Sequence, residues 1–458
     1  MIHKFKLGGF NALLDVNSGG VHIIDDLTYD LLDNVEPPFE EKCPEDVVRK
    51  LSKMYDSKDI EDCYEEIVSL YNDKILFSED DYEKYALSAV ASPIKAMCLH
   101  IAHDCNLRCK YCFASTGDFG QGRMLMDYET GKRAIDFLIE RSGDRKFLEV
   151  DFFGGEPLMN WDVVKQLVAY GREQEKLHDK HFRFTLTTNG VLLNDEIMEF
   201  ANKEMDNVVL SIDGRKEVHD RMRPFRKGAG SYDLIVPKFQ KFAESRHQDK
   251  YYVRGTFTHY NPDFAADVLH LADLGFKQIS VEPVVAEPSE PYAITEEDLP
   301  QLFEEYDKLA AEMVRRHKEG DDFNFFHFMI DLEGGPCVAK RLSGCGSGTE
   351  YLAVTPWGDF YPCHQFVGNE KFLLGNVDEG IKNTEIRDEF KCCNVYAKEK
   401  CRNCFARFYC SGGCAANSYN FHGTITDAYD LGCELQKKRI ECAIMIKAAE
   451  ADMADDAQ

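Results

Sequence analysis

Positive charge is in short supply in this sequence: 54 Lys and Arg face 81 Asp and Glu, a formal net charge of -27. That balance repels phosphate backbones and anionic lipid, which argues against nucleic acid or a membrane surface as the main partner. Long apolar runs are missing too. No stretch approaches the length of a membrane span, and the opening MIHKFKLGGFNALLDV holds no apolar run of signal-peptide length. Together these absences predict a cytoplasmic protein whose thiols stay reduced. Repeats and low-complexity tracts are not found either. Cysteine is absent from the whole stretch between Cys112 and Cys337.

Cysteine is abundant elsewhere. The chain has 17, with three gathered at 105–112 and eleven after residue 336. In a reducing compartment such islands read as metal ligands or catalytic groups rather than disulfides. Two islands separated by a cysteine-free scaffold predict two metal-bearing regions. The acidic excess needs no further role than solubility.

Three regions are expected along the 458 residues. In residues 1–90, HKFKLGG, NALLDVN and VHIIDD alternate apolar and polar residues and are split by glycine-rich turns. Helical periods follow at 26–34, 44–54 and 59–74, which together predict a winged-helix-like module. Residues 93–330 alternate strands and helices, with strands expected at 96–102, 147–153, 182–187, 207–212, 252–258 and 278–284. Repeated βα units imply a parallel sheet with right-handed crossovers, here an α/β fold forming a partial, open barrel of about six units. From 334 to 450 regular elements shorten and Gly and Cys become frequent. YLAVTPWGDFYPC predicts a hairpin turning at 356–359, and a helix is expected over 433–450. A small core with many cysteines is usually held by metal.

The first island, CNLRCKYC, places Cys105, Cys109 and Cys112 in C-x3-C-x2-C spacing after the first barrel strand. Thiolates suit iron–sulfur clusters and zinc, and His100 and His103 leave zinc open on spacing alone. Three thiolates on a [4Fe–4S] cluster leave one iron free to chelate the amino and carboxylate groups of S-adenosylmethionine (SAM). An electron from the cluster then cleaves the sulfonium to a deoxyadenosyl radical. Candidate ligand contacts recur at later strand ends. DFFGGEPLM offers Gly154 and Gly155 for close backbone approach and Glu156 as an acceptor for an ammonium. TLTTNG ends with Asn189, and LSIDG offers Ser211 and Asp213. Arg223 in DRMRPF has the charge to pair a carboxylate. Each alone is ordinary turn chemistry; their recurrence at successive strand ends favours a ligand site.

CNLRCKYCFA, FFGGEP, TTNG and LSIDG, in this order, resemble the radical SAM superfamily. The resemblance covers roughly 93–330 and implies a partial (β/α)6 barrel. It puts the cluster on Cys105, Cys109 and Cys112, and Tyr111 and Val284 beside the adenosine. In the second island Cys345, Cys363, then Cys401, Cys404, Cys410 and Cys414 in C-x2-C-x5-C-x3-C spacing, then Cys433, resemble the SPASM extension of that superfamily. This implies two auxiliary [4Fe–4S] clusters, three in all: an outer one on Cys401, Cys404, Cys410 and Cys433, and an inner one on Cys345, Cys363 and Cys414. Cys337 is a possible fourth inner ligand; otherwise that iron is open to substrate. A zinc ribbon is the competing reading of the short segment alone.

AMCLHIAHDCNLRCKYCFA, GGPCVAKRLSGCG and AVTPWGDFYPCHQF look like the maturases of SCIFF peptides (six cysteines in forty-five residues). That resemblance implies a cysteine-rich precursor peptide, held by its leader on the N-terminal sheet edge. The implied product is a thioether from a cysteine sulfur to an α-carbon, of threonine in that family. The implied electron donor is of the flavodoxin or ferredoxin kind. Anaerobic sulfatase maturases share the SPASM pattern, but they carry an Asp after the second inner cysteine and lack the N-terminal module. Here His364 stands at that position and is a candidate base, since imidazole titrates near neutrality. A cluster-bearing peptide-binding or electron-transfer protein is a third reading, which the intact SAM motifs oppose.

Overall fold

The computed structural model describes residues 1–86, 93–332 and 338–456. Among these residues no helix is long and apolar enough to cross a membrane. The first three strands, β1 (Ile2–Leu7), β2 (Phe10–Asp15) and β3 (Val21–Ile23), form an antiparallel meander of order β1-β2-β3. Gly8 and Gly9 turn the first hairpin with positive φ, which a side chain disfavours. Helices α1 (Asp26–Leu31), α2 (Glu45–Leu51) and α3 (Ser57–Asn72) follow, with Asp25 and Asp56 capping the first and third. Leu13, Leu31, Leu51, Ile60, Tyr64 and Ile67 close a separate small core.

The central region runs β4 (Ala96–His103), β5 (Met124–Leu125), α4 (Tyr128–Arg141), β6 (Phe147–Gly154), α5 (Trp161–His178), β7 (His181–Thr188), α6 (Asp195–Glu204), β8 (Asn207–Ser211), α7 (Lys216–Met222), α8 (Tyr232–Ser245), β9 (Tyr251–Phe257), α9 (Phe264–Asp273), β10 (Gln278–Pro283), α10 (Leu299–Glu319) and β11 (Asn324–Phe325). Strands β4, β6, β7, β8, β9 and β10 are neighbours in that order, and every pair is parallel. Each expected strand lies within one residue of its observed bounds. Leu99, Val150, Phe152, Phe184, Leu186 and Leu210 project from one face of the sheet into the helical layer, the period-two pattern of a strand with one greasy side.

The C-terminal region adds α11 (Val338–Ser343), β12 (Tyr351–Val354), β13 (Asp359–Tyr361), β14 (Gly375–Asn376), β15 (Gly380–Ile381), α12 (Thr384–Cys392), α13 (Glu399–Arg402), α14 (Arg407–Cys410), α15 (Ala415–His422) and α16 (Asp430–Asp456). The expected hairpin is β12–β13, with Gly358 at φ +89° in its turn. It does not stand apart: β12 pairs in parallel with β4, so the cysteine-rich region extends the barrel's own sheet. The final helix is longer than expected and packs along α10.

Candidate functional site

Parallel strands deliver their carboxyl ends to one edge, and the expected ligand residues sit on that edge. Cys105 follows β4, Gly155 and Glu156 follow β6, Asn189 follows β7, Asp213 follows β8, and Val284 follows β10. Asn189 donates through Nδ2 to Asn106 Oδ1 at 2.7 Å and reaches Cys105 Sγ at 3.6 Å. Leu107 N–H lies 3.5 Å from the same sulfur.

The two glycines allow a close approach, and the partner is the chain itself. A Cβ at Gly154 would sit 2.4 Å from Ala102 O, and one at Gly155 2.2 Å from Asp104 O. The cysteine loop is thereby clamped: Gly155 N–H donates to Ala102 O (2.7 Å) and Glu156 N–H to Asp104 O (2.9 Å). Glu156 is buried. Its carboxylate accepts from Leu158 N–H (3.0 Å), Thr188 Oγ1 (2.7 Å) and Asn189 N–H (2.8 Å), so it ties the ends of β6 and β7 together.

Tyr111, Asp213 and Arg223 form one cluster. The Tyr111 hydroxyl stands 2.7 Å from both Asp213 oxygens and accepts from Arg223 Nη1 at 2.9 Å. Burial pushes the Asp213 carboxyl up to about 6 against the pull of Arg223. Among the described residues Arg223 Nε and Asn106 Nδ2 are buried without an acceptor, two unspent donors beside the cysteine loop. Ser211 is half-buried in register with Arg254 of β9, and Val284 is buried with its N–H on Phe257 O.

The cysteines fall into three sets. Cys105 lies within electrostatic reach of Cys109 and Cys112. Cys363 feels Cys414 and Cys345, and Cys433 feels Cys410, Cys401 and Cys404. Burial pushes the thiols of Cys105 and Cys433 up to about 12, and those of Cys109 and Cys401 to about 11. Metal binding must therefore displace protons at all four. Every described cysteine is free of a disulfide. Among the described residues no three Cys, His, Asp or Glu side chains converge as one metal ion requires. A cluster does not need that, because each iron takes its own thiolate. A three-thiol set and a four-thiol set are donors that fit [4Fe–4S] clusters. Cys337 lies outside the described residues.

His364 follows Cys363 and packs against Phe113 and Phe153, with ring centroids 5.4 and 5.1 Å away. Burial pushes its imidazole down to about 4, so it is neutral at pH 7. Its Nδ1 is 3.5 Å from the Tyr351 hydroxyl, which in turn bonds the Cys98 thiol. Asp151, opposite Cys98 in the sheet, has its carboxyl pushed up to about 7 by burial. Cys98, Asp151 and Tyr351 escaped the sequence reading because only sheet register shows that they share an inner face. Cys393 lies within electrostatic reach of Cys345.

The N-terminal sheet docks on the four-cysteine loop. Phe405, next to Cys404, stacks on His3 with centroids 3.5 Å apart. Arg407 is buried and bonds Asn17 Oδ1 and Asp80 Oδ2, and the Tyr409 hydroxyl reaches Gly19 O at 3.5 Å.

Comparison with known proteins agrees with this geometry. Residues 99–246 match the model of the radical SAM superfamily. The radical SAM cyclopropyl synthase TigE of Paramaledivibacter caminithermalis is 21% identical over 453 residues, 92% of this chain and 89% of that protein. A cysteine-type anaerobic sulfatase-maturating enzyme of Clostridium novyi is 24% identical over 363 residues, 74% of this chain and 92% of its own length. Among solved structures, Streptococcus suis SuiB bound to S-adenosylmethionine superposes with a TM-score of 0.55 at 16% identity, covering 94% of this chain and 98% of SuiB. Residues 99–246 therefore carry a radical SAM domain, set in a chain whose relatives include radical SAM maturases.

Proposed function

We propose that this chain is a radical SAM peptide maturase. It joins a cysteine sulfur to an α-carbon, that of threonine, within a cysteine-rich precursor peptide. The observation that carries the reading is the N-terminal sheet seated directly on the four-cysteine loop through His3, Asn17 and Gly19. Among the described residues β3 pairs only with β2, and its Ile23 is exposed. An open edge of that kind takes an extended leader by strand addition.

SAM and the clusters, when bound, supply the radical that removes the α-hydrogen and the acceptor for the electron left as the sulfur–carbon bond closes. The chain's residues do the rest. Cys105, Cys109 and Cys112 would hold the SAM-binding cluster, and Asn189, Arg223, Ser211 and Val284 would orient the cofactor. Cys401, Cys404, Cys410 and Cys433 would hold the outer cluster, and Cys345, Cys363 and Cys414 the inner one, with Cys337 a further candidate. His364, neutral and walled by Phe113 and Phe153, would be the candidate base for the substrate thiol proton.

The test is anaerobic incubation with SAM, a reductant and a cysteine-rich precursor. Each cross-link should remove two hydrogens from the peptide mass and leave one cysteine unalkylatable. A second reading, formation of formylglycine in a sulfatase peptide, is favoured by the match to the Clostridium novyi enzyme. Aldehyde formation on a sulfatase-derived cysteine peptide, with no thioether on the precursor, would select it.

A further inference from the structure

A buried lysine lies beside the loop that joins the two auxiliary cysteine sets. Lys398 caps α13, and its carbonyl accepts from Cys401 N–H at 3.0 Å. Its side chain is only 3% exposed. The aliphatic stem runs over Gly412, where an added Cβ would meet Lys398 Cδ and Cε at 3.8 Å. The ammonium donates to Gly412 O at 2.8 Å. Gly412 lies between Cys410, a member of the four-thiol set, and Cys414, a member of the three-thiol set. Lys398 is thus tied to the one short loop that carries a ligand candidate for each cluster.

Its surroundings lack the partner such a charge normally demands. Among the described residues no carboxylate lies within ion-pair distance of Lys398. The neighbouring Lys400 and Lys437 do pair, with Asp430 and Glu434. A buried ammonium without an anion is as unfavourable as a buried ion pair that has lost one partner. The groups its charge acts on are cysteines instead: burial raises the thiols of Cys401, Cys393, Cys410 and Cys414, and the ammonium works against that rise at each of them. Once those sulfurs bind iron they are anions, and the cation is matched.

We propose that Lys398 is the shared counter-cation of the two auxiliary clusters, a positioning charge that holds both reduction potentials up. This rests on the maturase reading above. When the thioether forms, the α-hydrogen atom leaves to the cleaved SAM and the thiol proton goes to a base. Sulfur and carbon then share a bond, and one electron remains for an auxiliary cluster. That electron adds one unit of negative charge beside a fixed positive one, so either cluster accepts it more readily. One ammonium near both sets raises both potentials in the same direction.

The experiment is an anaerobic redox titration, followed by electron paramagnetic resonance, of wild-type protein, Lys398→Gln and Lys398→Arg, with iron counted in each. Gln keeps a donor for Gly412 O without the charge, and Arg keeps the charge. Lys398→Gln should shift the one-electron equilibrium of the auxiliary clusters at least tenfold toward oxidation, a fall of 59 mV. The SAM-binding cluster should stay put, and Arg should stay near wild type. If Gln sheds its auxiliary iron, Arg decides: clusters retained at wild-type potential support the charge, and loss in both variants overturns it. Wild-type potentials in Lys398→Gln, or equal falls in both variants, likewise overturn it. A wild-type chain that binds no auxiliary cluster overturns the maturase reading as well, whereas unshifted potentials in a chain that holds all three overturn the role of Lys398 alone.

Discussion

The two cysteine islands rest on opposite kinds of support. Cys105, Cys109 and Cys112 hang from a sheet whose six parallel strands bury Leu99, Phe152, Phe184, Leu210, Phe257 and Val281. The scaffold there is complete without its ligands. Around the second island the elements are short: α13 and α14 span four residues each. The buried cluster around them counts Cys401 among its members, with Cys404, Cys410 and Cys433 packed against it. In the first region the fold places the ligands. In the second the ligands are part of what there is to fold.

Stripping iron anaerobically with a chelator should show this contrast at its largest. Amide exchange over β4 to β10 should keep its protection, while residues 393–433 lose theirs almost entirely. Equal loss in both regions would erase the distinction. Next in size is the tie between the second region and the N-terminal module. Arg407→Met leaves Asp80 and Asn17 without their buried partner, and breaking such a pair costs about 3–5 kcal/mol. Denaturant melts should then resolve an early transition for residues 1–86, and leader peptide affinity should drop with it.

The barrel's strands were legible because short apolar or alternating runs recur between helical segments. The motifs at their ends were legible because short segments repeat the same position in successive βα units. What sits inside the barrel was not. Asp151, Cys98 and Tyr351 become neighbours only through the register β12-β4-β6, and a four-residue strand such as β12 carries too little pattern to announce that it joins the sheet. Nothing in the sequence sets Lys398 and Arg407 apart from the lysines and arginines around them. Only the closed fold shows that both are buried.

A smaller contrast lies in the glycines. Gly155→Ala forces a Cβ to within 2.2 Å of Asp104 O, an overpacking worth about 1–3 kcal/mol, and should also weaken iron retention at Cys105. Gly413→Ala meets nothing within 4 Å but has φ +71°, so it should cost only about 1 kcal/mol of backbone strain. Thermal melts of the two variants at matched iron content check the order. A pH dependence is confined to the barrel. The Asp151 carboxyl is raised from 3.8 to about 7 by burial, so the folded state holds its proton more tightly than the unfolded chain. That contribution is fully present below pH 3.8 and is lost as pH rises through 7. Asp151→Asn should therefore gain in melting temperature over wild type between about pH 4 and 7 and level off above. A constant difference across that window would place the carboxyl in water.

The pairing of β12 with β4 works as a ruler. One strand leads into Cys105 and the other, through its hairpin, into Cys363. The rungs between them, from Tyr351 opposite Ala96 to Val354 opposite Leu99, fix how far apart the two cysteine sets stand, and with them the two clusters proposed above. Each rung is a step of about 3.3 Å, and a slip of one would turn Tyr351 away from His364 as well. Surface loops can lengthen or vary without detuning that interval. The spacing of the two cysteine sets is written in backbone hydrogen bonds, the part of a protein least open to gradual change.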